Sequence, residues 1–114
     1  MQHWSEKLPL YQQLAEHLLQ NLLEGDPPEG EAMPSVRQLA HQHLINPLTV
    51  ARALQLLDAQ GLLENRRGQG WFVRQGARLR LLEQQRAAML NTEWPQLRQR
   101  LARLGLGPQD LQWE

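Results

Sequence analysis

The sequence of 114 residues predicts a mainly α-helical fold with one small β-hairpin and a helical C-terminal segment. Three observations predict it: apolar residues recur at helical spacing up to residue 60, two short apolar runs flank a glycine-rich turn, and leucines return at helical spacing after Gly76. We therefore expect a compact domain over residues 1–76, and a separate helical segment over residues 77–114.

Composition excludes several classes of protein. The chain contains no cysteine, which excludes disulfide frameworks and thiolate metal sites. No apolar run reaches the roughly 20 residues that cross a bilayer, and the polar N-terminus is unlike a signal peptide. We therefore expect a cytoplasmic protein without a membrane partner. The four histidines and the acidic residues form neither a metal-ligand pattern nor a catalytic pattern, so we expect no cofactor, no metal and no enzymatic activity.

The net charge of zero conceals an uneven distribution of charge along the chain. Residues 1–33 carry one basic and six acidic side chains, whereas residues 34–76 carry five arginines and only two acidic residues. Residues 77–114 carry six arginines and four acidic residues. The basic excess of the central segment is compatible with a nucleic-acid partner, although it does not require one.

Three helices are expected in the first domain. Leucines at i, i+4 and i+8 predict a helix that begins near Pro9 and ends at Gly25. A turn-rich loop follows, after which Ser35 caps a helix of about two turns. The chain restarts at Asn46, which caps a helix over residues 47–60 with proline at its first position.

A hairpin is expected directly after the third helix. Residues 62–65 and 71–73 have the composition of short strands, and residues 66–70 form a glycine-rich turn between them. Three helices followed by a hairpin are the element order of a winged helix-turn-helix. In this class of protein one helix enters the DNA major groove, and the hairpin, or wing, lies against the neighbouring backbone.

The C-terminal segment carries apolar stripes that the small domain cannot cover. Pro95 predicts that its helix breaks near Asn91, with Thr92 capping a second helix. Packing against a second copy would bury both stripes, so we expect a homodimer. The residues assigned to this dimer contact are Leu79, Leu82, Met89, Trp94, Leu97, Leu101 and Leu104.

Four motifs occur in order between residues 9 and 73: PLYQQLAEHL, MPSVRQLA, NPLTVARAL and GLLENRRGQGWFV. Together they resemble the DNA-binding domain of GntR-family bacterial transcription regulators. The short helical C-terminal segment further resembles the YtrA-like branch of that family. The resemblance implies a homodimeric regulator, most simply a repressor, that binds double-stranded operator DNA with inverted half-sites.

The resemblance also implies which residues contact DNA. Arg37 corresponds to an arginine that points into the major groove, and a guanidinium can pair with both acceptors of a guanine. Ser35 has a second role compatible with capping, because a helix start can bind a phosphate. Leu48 departs from the small polar residue usual in the family, and it could contact a thymine methyl group or reduce base reading. The expected DNA-contacting residues are Ser35, Arg37, Asn46, Leu48, Thr49, Arg52, Arg66, Arg67, Gly68, Gln69 and Gly70.

Two alternatives remain open on the sequence. A winged helix can serve as a protein-interaction module that does not bind DNA. An unidentified small-molecule effector could instead bind an apolar site lined by Trp71, Trp94 and leucines of the C-terminal segment, and this would make the protein a ligand sensor.

Overall fold

The computed structural model describes residues 4–114 and divides the chain after Leu81 into two compact units. The first unit holds three helices, a two-stranded antiparallel sheet and the start of a fourth helix, and the second unit is helical. The elements are α1 (Leu10–Leu23), α2 (Val36–His43), α3 (Pro47–Ala59), β1 (Leu63–Arg66), β2 (Gly70–Val73), α4 (Ala77–Ala88), a π-helical turn (Met89–Glu93), α5 (Trp94–Arg103) and a 3-10 turn (Pro108–Asp110).

Helix α1 has the extent and the buried face that its leucine spacing predicts. Its inward side chains lie against α3 in the core of the first unit, and Gly25 follows the helix with a positive φ of 86°. Its buried residues are Leu14, Ala15, Leu18, Leu19 and Leu22.

Helices α2 and α3 are both capped at their first turns as expected. The Ser35 hydroxyl accepts a hydrogen bond from the Gln38 backbone N–H at 3.0 Å, and the Gln38 side chain accepts one from the Ser35 N–H at 2.7 Å. Asn46 Oδ1 accepts the Leu48 N–H at 2.8 Å, and Pro47 occupies the first turn of α3. The turn between the helices passes through Leu44 in the left-handed conformation, with φ of 56°.

The first strand of the hairpin begins at Leu63, one residue later than the sequence suggested. Leu62 lies in the turn between α3 and β1, where its N–H donates to the Leu57 carbonyl at 3.1 Å and its carbonyl accepts the Arg74 N–H at 3.0 Å. Leu63 pairs with Val73 and Arg66 pairs with Gly70, so the expected turn over residues 66–70 is shortened to Arg67, Gly68 and Gln69.

The loop before α2 is more ordered than expected, because part of it lies beside β2. Ala32 forms an antiparallel bridge with Phe72. Backbone bonds from Gly30 N–H to the Val73 carbonyl at 2.8 Å, and from Val73 N–H to the Glu31 carbonyl at 3.0 Å, continue that pairing. These bonds satisfy both backbone groups of Val73 on the outer edge of β2.

The first turn of α4 belongs to the first unit. Ala77 and Leu81 are buried in the same core as α1 and α3. The Glu29 carboxylate accepts the N–H groups of Gly76 and Arg78, at 2.7 and 3.1 Å, and these bonds hold the pKa of Glu29 below its usual value. The side chain of Arg80 donates to the Gln60 carbonyl at 2.9 Å and so links α4 to the end of α3.

The expected helix break near Asn91 is wrong. The chain stays helical through Asn91 and Thr92, and the Trp94 N–H donates to the Met89 carbonyl, five residues earlier. Thr92 is therefore not a cap. The wider π turn accommodates Pro95 because it relieves the contact between the proline ring and the preceding turn, and so the helix continues into α5.

Within the part of the chain that the structure describes, no helix is long and apolar enough to span a bilayer.

Candidate nucleic-acid interface

The start of α2 presents one cation to solvent. Val36 and Leu39 turn toward the core, so Arg37, between them, is exposed on the first turn. Ser35 is exposed, and its hydroxyl already accepts the Gln38 N–H in the capping box. Ser35 could therefore add a phosphate contact only through its hydroxyl hydrogen or nearby backbone N–H groups.

The start of α3 divides into a buried face and an exposed face. Val50, Ala53, Leu54 and Leu57 are fully buried, and the opposite face is exposed. Leu48 is 79% exposed at the first turn, although it is a large apolar residue, and Thr49 is half-buried. Asn46 is exposed, but its side-chain oxygen is used by the cap. Such a helix, with its N-terminal end uncovered, has the form of a recognition helix.

The wing presents its tip residues Arg67, Gly68 and Gln69 to solvent. Gly68 and Gly70 have φ of 76° and 106°, a region that favours glycine, and the Gln69 N–H closes the turn onto the Arg66 carbonyl at 2.8 Å.

The hairpin arginines are not equivalent. Arg66 forms a salt bridge with Glu64 at 3.0 Å, and its guanidinium lies 3.9 Å from the centre of the Phe72 ring. Arg74 lies 3.6 Å from Asp58 and 3.7 Å from Glu64, and it also donates to the Leu63 carbonyl. Asp58 and Glu64 therefore compensate the charge of these two arginines.

Three arginines on α2, α3 and the wing keep their charge uncompensated. Within residues 4–114, Arg37, Arg52 and Arg67 have no carboxylate at ion-pair distance. Each lies on a different one of the three elements that a winged helix applies to DNA: α2, α3 and the wing.

Sequence reasoning missed the neighbours of these arginines. Tyr11 on α1 places its ring 4.1 Å from the Arg52 guanidinium, and no spacing rule relates residues 41 positions apart. The pairing of Arg66 with Glu64 could have been suspected, because residues two apart in a strand point to the same face. The capping partner of Ser35 was also readable, since glutamine three residues later completes a capping box.

The rings of His17 on α1 and His43 on α2 contact each other. The ring of His43 lies 5.4 Å from that of His17 and 6.3 Å from that of Trp4, in edge-to-face arrangements. Partial burial, and secondly the nearby His17, lower the pKa of His43.

The residues assigned to the dimer contact differ in exposure. Leu79 belongs to the first unit and is 59% exposed, whereas the others belong to the second unit. Leu82 and Leu101 are half-buried. The exposed members of the second unit are Met89, Trp94, Leu97 and Leu104.

Three helices, a left-handed turn between the second and third, and a hairpin with a basic tip define a winged helix-turn-helix protein. Residues 10–73 match the family described as bacterial regulatory proteins, gntR family, and the chain belongs to this family. The resemblance noted in the sequence is confirmed, and the family is one of regulatory proteins rather than of enzymes.

Known relatives resemble this chain over part of its length. The chain is 35% identical over 75 residues to the HTH-type transcriptional repressor YtrA of Bacillus subtilis (strain 168), a match that covers 66% of this chain and 58% of YtrA. The chain thus spans less than two thirds of this relative.

Solved structures extend the similarity in fold. A transcriptional regulator from Oenococcus oeni superposes with a TM-score of 0.78 at 27% identity, covering 96% of this chain and 89% of that one. The DNA-binding domain of AraR, solved in complex with operator ORX1, superposes with a TM-score of 0.57 at 30% identity, covering 64% of this chain and 89% of that one.

Proposed function

We propose that this protein is a transcription repressor that binds an inverted-repeat operator as a homodimer. The observation that carries the proposal is the set of uncompensated arginines Arg37, Arg52 and Arg67, one on each DNA-facing element of a winged helix. AraR, with which this chain shares its fold at 30% identity, was solved on an operator, and YtrA is a repressor. Both relationships support the proposal.

The three elements have different tasks in this proposal. The start of α3 enters the major groove, where Leu48, Thr49 and Arg52 face the bases and the backbone. Arg37 at the start of α2 reads a base edge, and half-sites of GT and AC character are those that the family resemblance suggests. The wing tip reaches the neighbouring backbone or minor groove, where Arg67 is attracted by negative potential.

The structure favours a smaller set of DNA contacts than the sequence suggested. Asn46 acts mainly as the cap of α3, and Arg66 is compensated by Glu64. We therefore assign the wing contact to Arg67 and Gln69, with Gly68 and Gly70 shaping the turn.

The decisive test is fluorescence anisotropy with the intergenic DNA upstream of the gene, compared with scrambled DNA over a series of salt concentrations. We expect Arg37→Ala to lose about 1 to 3 kcal/mol of preference for the correct sequence, because a bidentate base contact is removed. We expect Arg67→Ala to weaken binding to both DNAs and to reduce the salt slope by about 1.

Arg66→Ala is the matched control, because it removes an adjacent arginine whose charge is already compensated. It should change the salt slope less than Arg67→Ala does. Equal binding of the wild type to upstream and scrambled DNA would contradict sequence-specific regulation. A protein that self-associates but binds no DNA would instead be a protein-interaction module.

A further inference from the structure

We infer that Tyr11 is a positioning residue for DNA binding, which holds the guanidinium of Arg52 in a fixed plane with its donors directed outward. The inference rests on the proposed function and deepens it, since it names a residue outside the helix-turn-helix and the wing. Tyr11 is the second residue of α1, and Arg52 lies in the second turn of α3.

The two side chains are brought together by the packing of their helices. The buried leucines of α1 lie against the buried face of α3, and this contact places the half-buried Tyr11 beside the exposed Arg52. The guanidinium carbon lies 4.1 Å from the ring centre, well inside the roughly 6 Å over which a cation and an aromatic face attract each other. The Tyr11 hydroxyl accepts a hydrogen bond from the side chain of Gln12 at 3.2 Å.

Stacking uses the face of a guanidinium and leaves its edge free. The five N–H donors of arginine lie in the plane of the group, so a ring above that plane does not consume them. Among residues 4–114, Arg52 has no carboxylate at ion-pair distance. Its donors are therefore held in one plane while remaining available to a phosphate or a base edge.

Arg66 provides an internal comparison in the same unit. It also stacks on an aromatic ring, that of Phe72, but its Nε and Nη2 donate to the Glu64 carboxylate at 3.1 and 3.0 Å. Arg66 therefore has both a ring contact and a carboxylate partner, whereas Arg52, among residues 4–114, has the ring contact without a carboxylate. The difference identifies the stack on Tyr11 as an arrangement that keeps a cation ready for an external anion.

Preorganisation should favour binding, because an arginine that is already ordered loses less side-chain freedom when it contacts DNA. The effect should depend on the ring and on Arg52 together. It should not depend on the tyrosine hydroxyl, which tyrosine-to-phenylalanine substitution removes.

A double-mutant cycle on the full chain tests this, with DNA affinity measured for Tyr11→Leu, Arg52→Ala, the double variant and Tyr11→Phe. We expect Tyr11→Leu to weaken binding about two- to five-fold, the range that an exposed cation–π contact supports. In the Arg52→Ala background the same change should have no further effect, and Tyr11→Phe should bind like the wild type. Equal loss from Tyr11→Leu in both backgrounds, or equal loss from Tyr11→Phe, would overturn the inference.

The stack can also be tested without DNA. In the free wild-type protein the Arg52 Nε–H proton should resonate upfield of that of Arg37, an exposed arginine of α2, because of the Tyr11 ring current, and Tyr11→Leu should abolish the difference. An Arg52 resonance that coincides with that of Arg37 in the wild type would contradict the stack itself. A wild type that shows the shift but binds no DNA would contradict the proposed function instead.

Discussion

We expect one side chain, His43, to make the stability of the first unit depend on pH. Its ring packs edge-to-face against those of His17 and Trp4. Partial burial is the larger cause that lowers the pKa of His43, and the electrostatic effect of His17 is the smaller one. Because the folded pKa is below the unfolded value of about 6.5, the unfolded state binds the proton more readily. Stability is therefore complete above about pH 6.5 and decreases as pH falls through that value toward the folded pKa.

We expect the free energy of unfolding in urea to decrease between pH 7.5 and pH 5.5, and His43→Gln to make this decrease smaller. His41→Gln is the matched control, since His41 lies on the same helix and is exposed. A pH dependence that is the same in the wild type and in His43→Gln would show that another group is responsible.

Leu44 stands where a helix end usually carries glycine. It adopts φ of 56° at the end of α2 and is 88% exposed, so little packing offsets its strained backbone. The left-handed conformation costs an L-residue about 1 to 2 kcal/mol, and glycine loses about 0.5 to 1 kcal/mol more than other residues through the entropy of the unfolded chain. We expect Leu44→Gly to raise the free energy of unfolding by about 0.5 to 1 kcal/mol.

The measurement for Leu44→Gly is equilibrium urea unfolding at pH 7.5. Leu8→Gly removes another exposed leucine, one whose φ is not positive, and it should be neutral or destabilising. Destabilisation by Leu44→Gly equal to that of Leu8→Gly would mean that the leucine at the turn carries no strain.

At the scale of elements, capping accounts for the boundaries that the sequence predicts well. Asn46 with Pro47 marks the start of α3, and Ser35 marks the start of α2, because both depend on bonds between residues at most three positions apart. Boundaries that depend on distant contacts were harder to predict. The pairing of Ala32 with Phe72 and the burial of Leu81 involve residues far apart in sequence, and no local spacing reports them.

The segment around Pro95 illustrates a second limit. Proline predicts an interrupted helix, and the interruption is real, but it takes the form of a π turn rather than a new cap at Thr92. Both solutions accommodate a proline, which has no backbone N–H to donate. The sequence alone does not choose between them.

The capping box of α2 allows capping to be separated from phosphate contact at Ser35. Ser35→Ala should lower the free energy of unfolding by about 1 kcal/mol, because the Gln38 N–H loses its acceptor. Ser35→Asp should retain the stability of the wild type, since aspartate is an equally good cap. If Ser35 approaches a phosphate, the added negative charge should nevertheless weaken DNA binding.

Urea unfolding and DNA anisotropy, both measured on Ser35→Ala and Ser35→Asp, separate capping from phosphate contact. Full affinity in Ser35→Asp together with full stability would restrict Ser35 to capping. A loss of affinity in Ser35→Asp that disappears at high salt would indicate repulsion between the aspartate and the DNA backbone.

At the scale of the whole molecule, the proposed repressor depends on two copies of the chain. The second unit exposes large apolar side chains along α5 and directly after it: Trp94 and Leu97 are 42% and 43% exposed, and Leu104, which follows the helix, is 71% exposed. The second unit is too small to bury much apolar surface of its own, and no residue of α5 is buried. Apolar side chains that repeat at intervals of three and four residues on one helix are typical of a seam between helices of two chains.

The dimer is tested by introducing charge into this seam. We expect Leu97→Asp combined with Leu101→Asp to shift the protein from dimer to monomer in sedimentation velocity, because two carboxylates would have to be buried at the contact. The first unit should keep its fold by circular dichroism, since its core lies within residues 14–81. Affinity for an inverted-repeat operator should fall about 100-fold, because the second half-site no longer binds intramolecularly, whereas affinity for a single half-site should not change.

Gln99→Asp is the control for an added carboxylate, since it places one at an exposed position on the opposite side of α5. It should remain dimeric and bind the inverted repeat like the wild type. The double-aspartate variant separates the two parts of the proposal: a monomeric variant with undiminished affinity for the inverted repeat would exclude cooperation between two copies, and a variant that sediments as a dimer would place the contact between copies elsewhere on the chain.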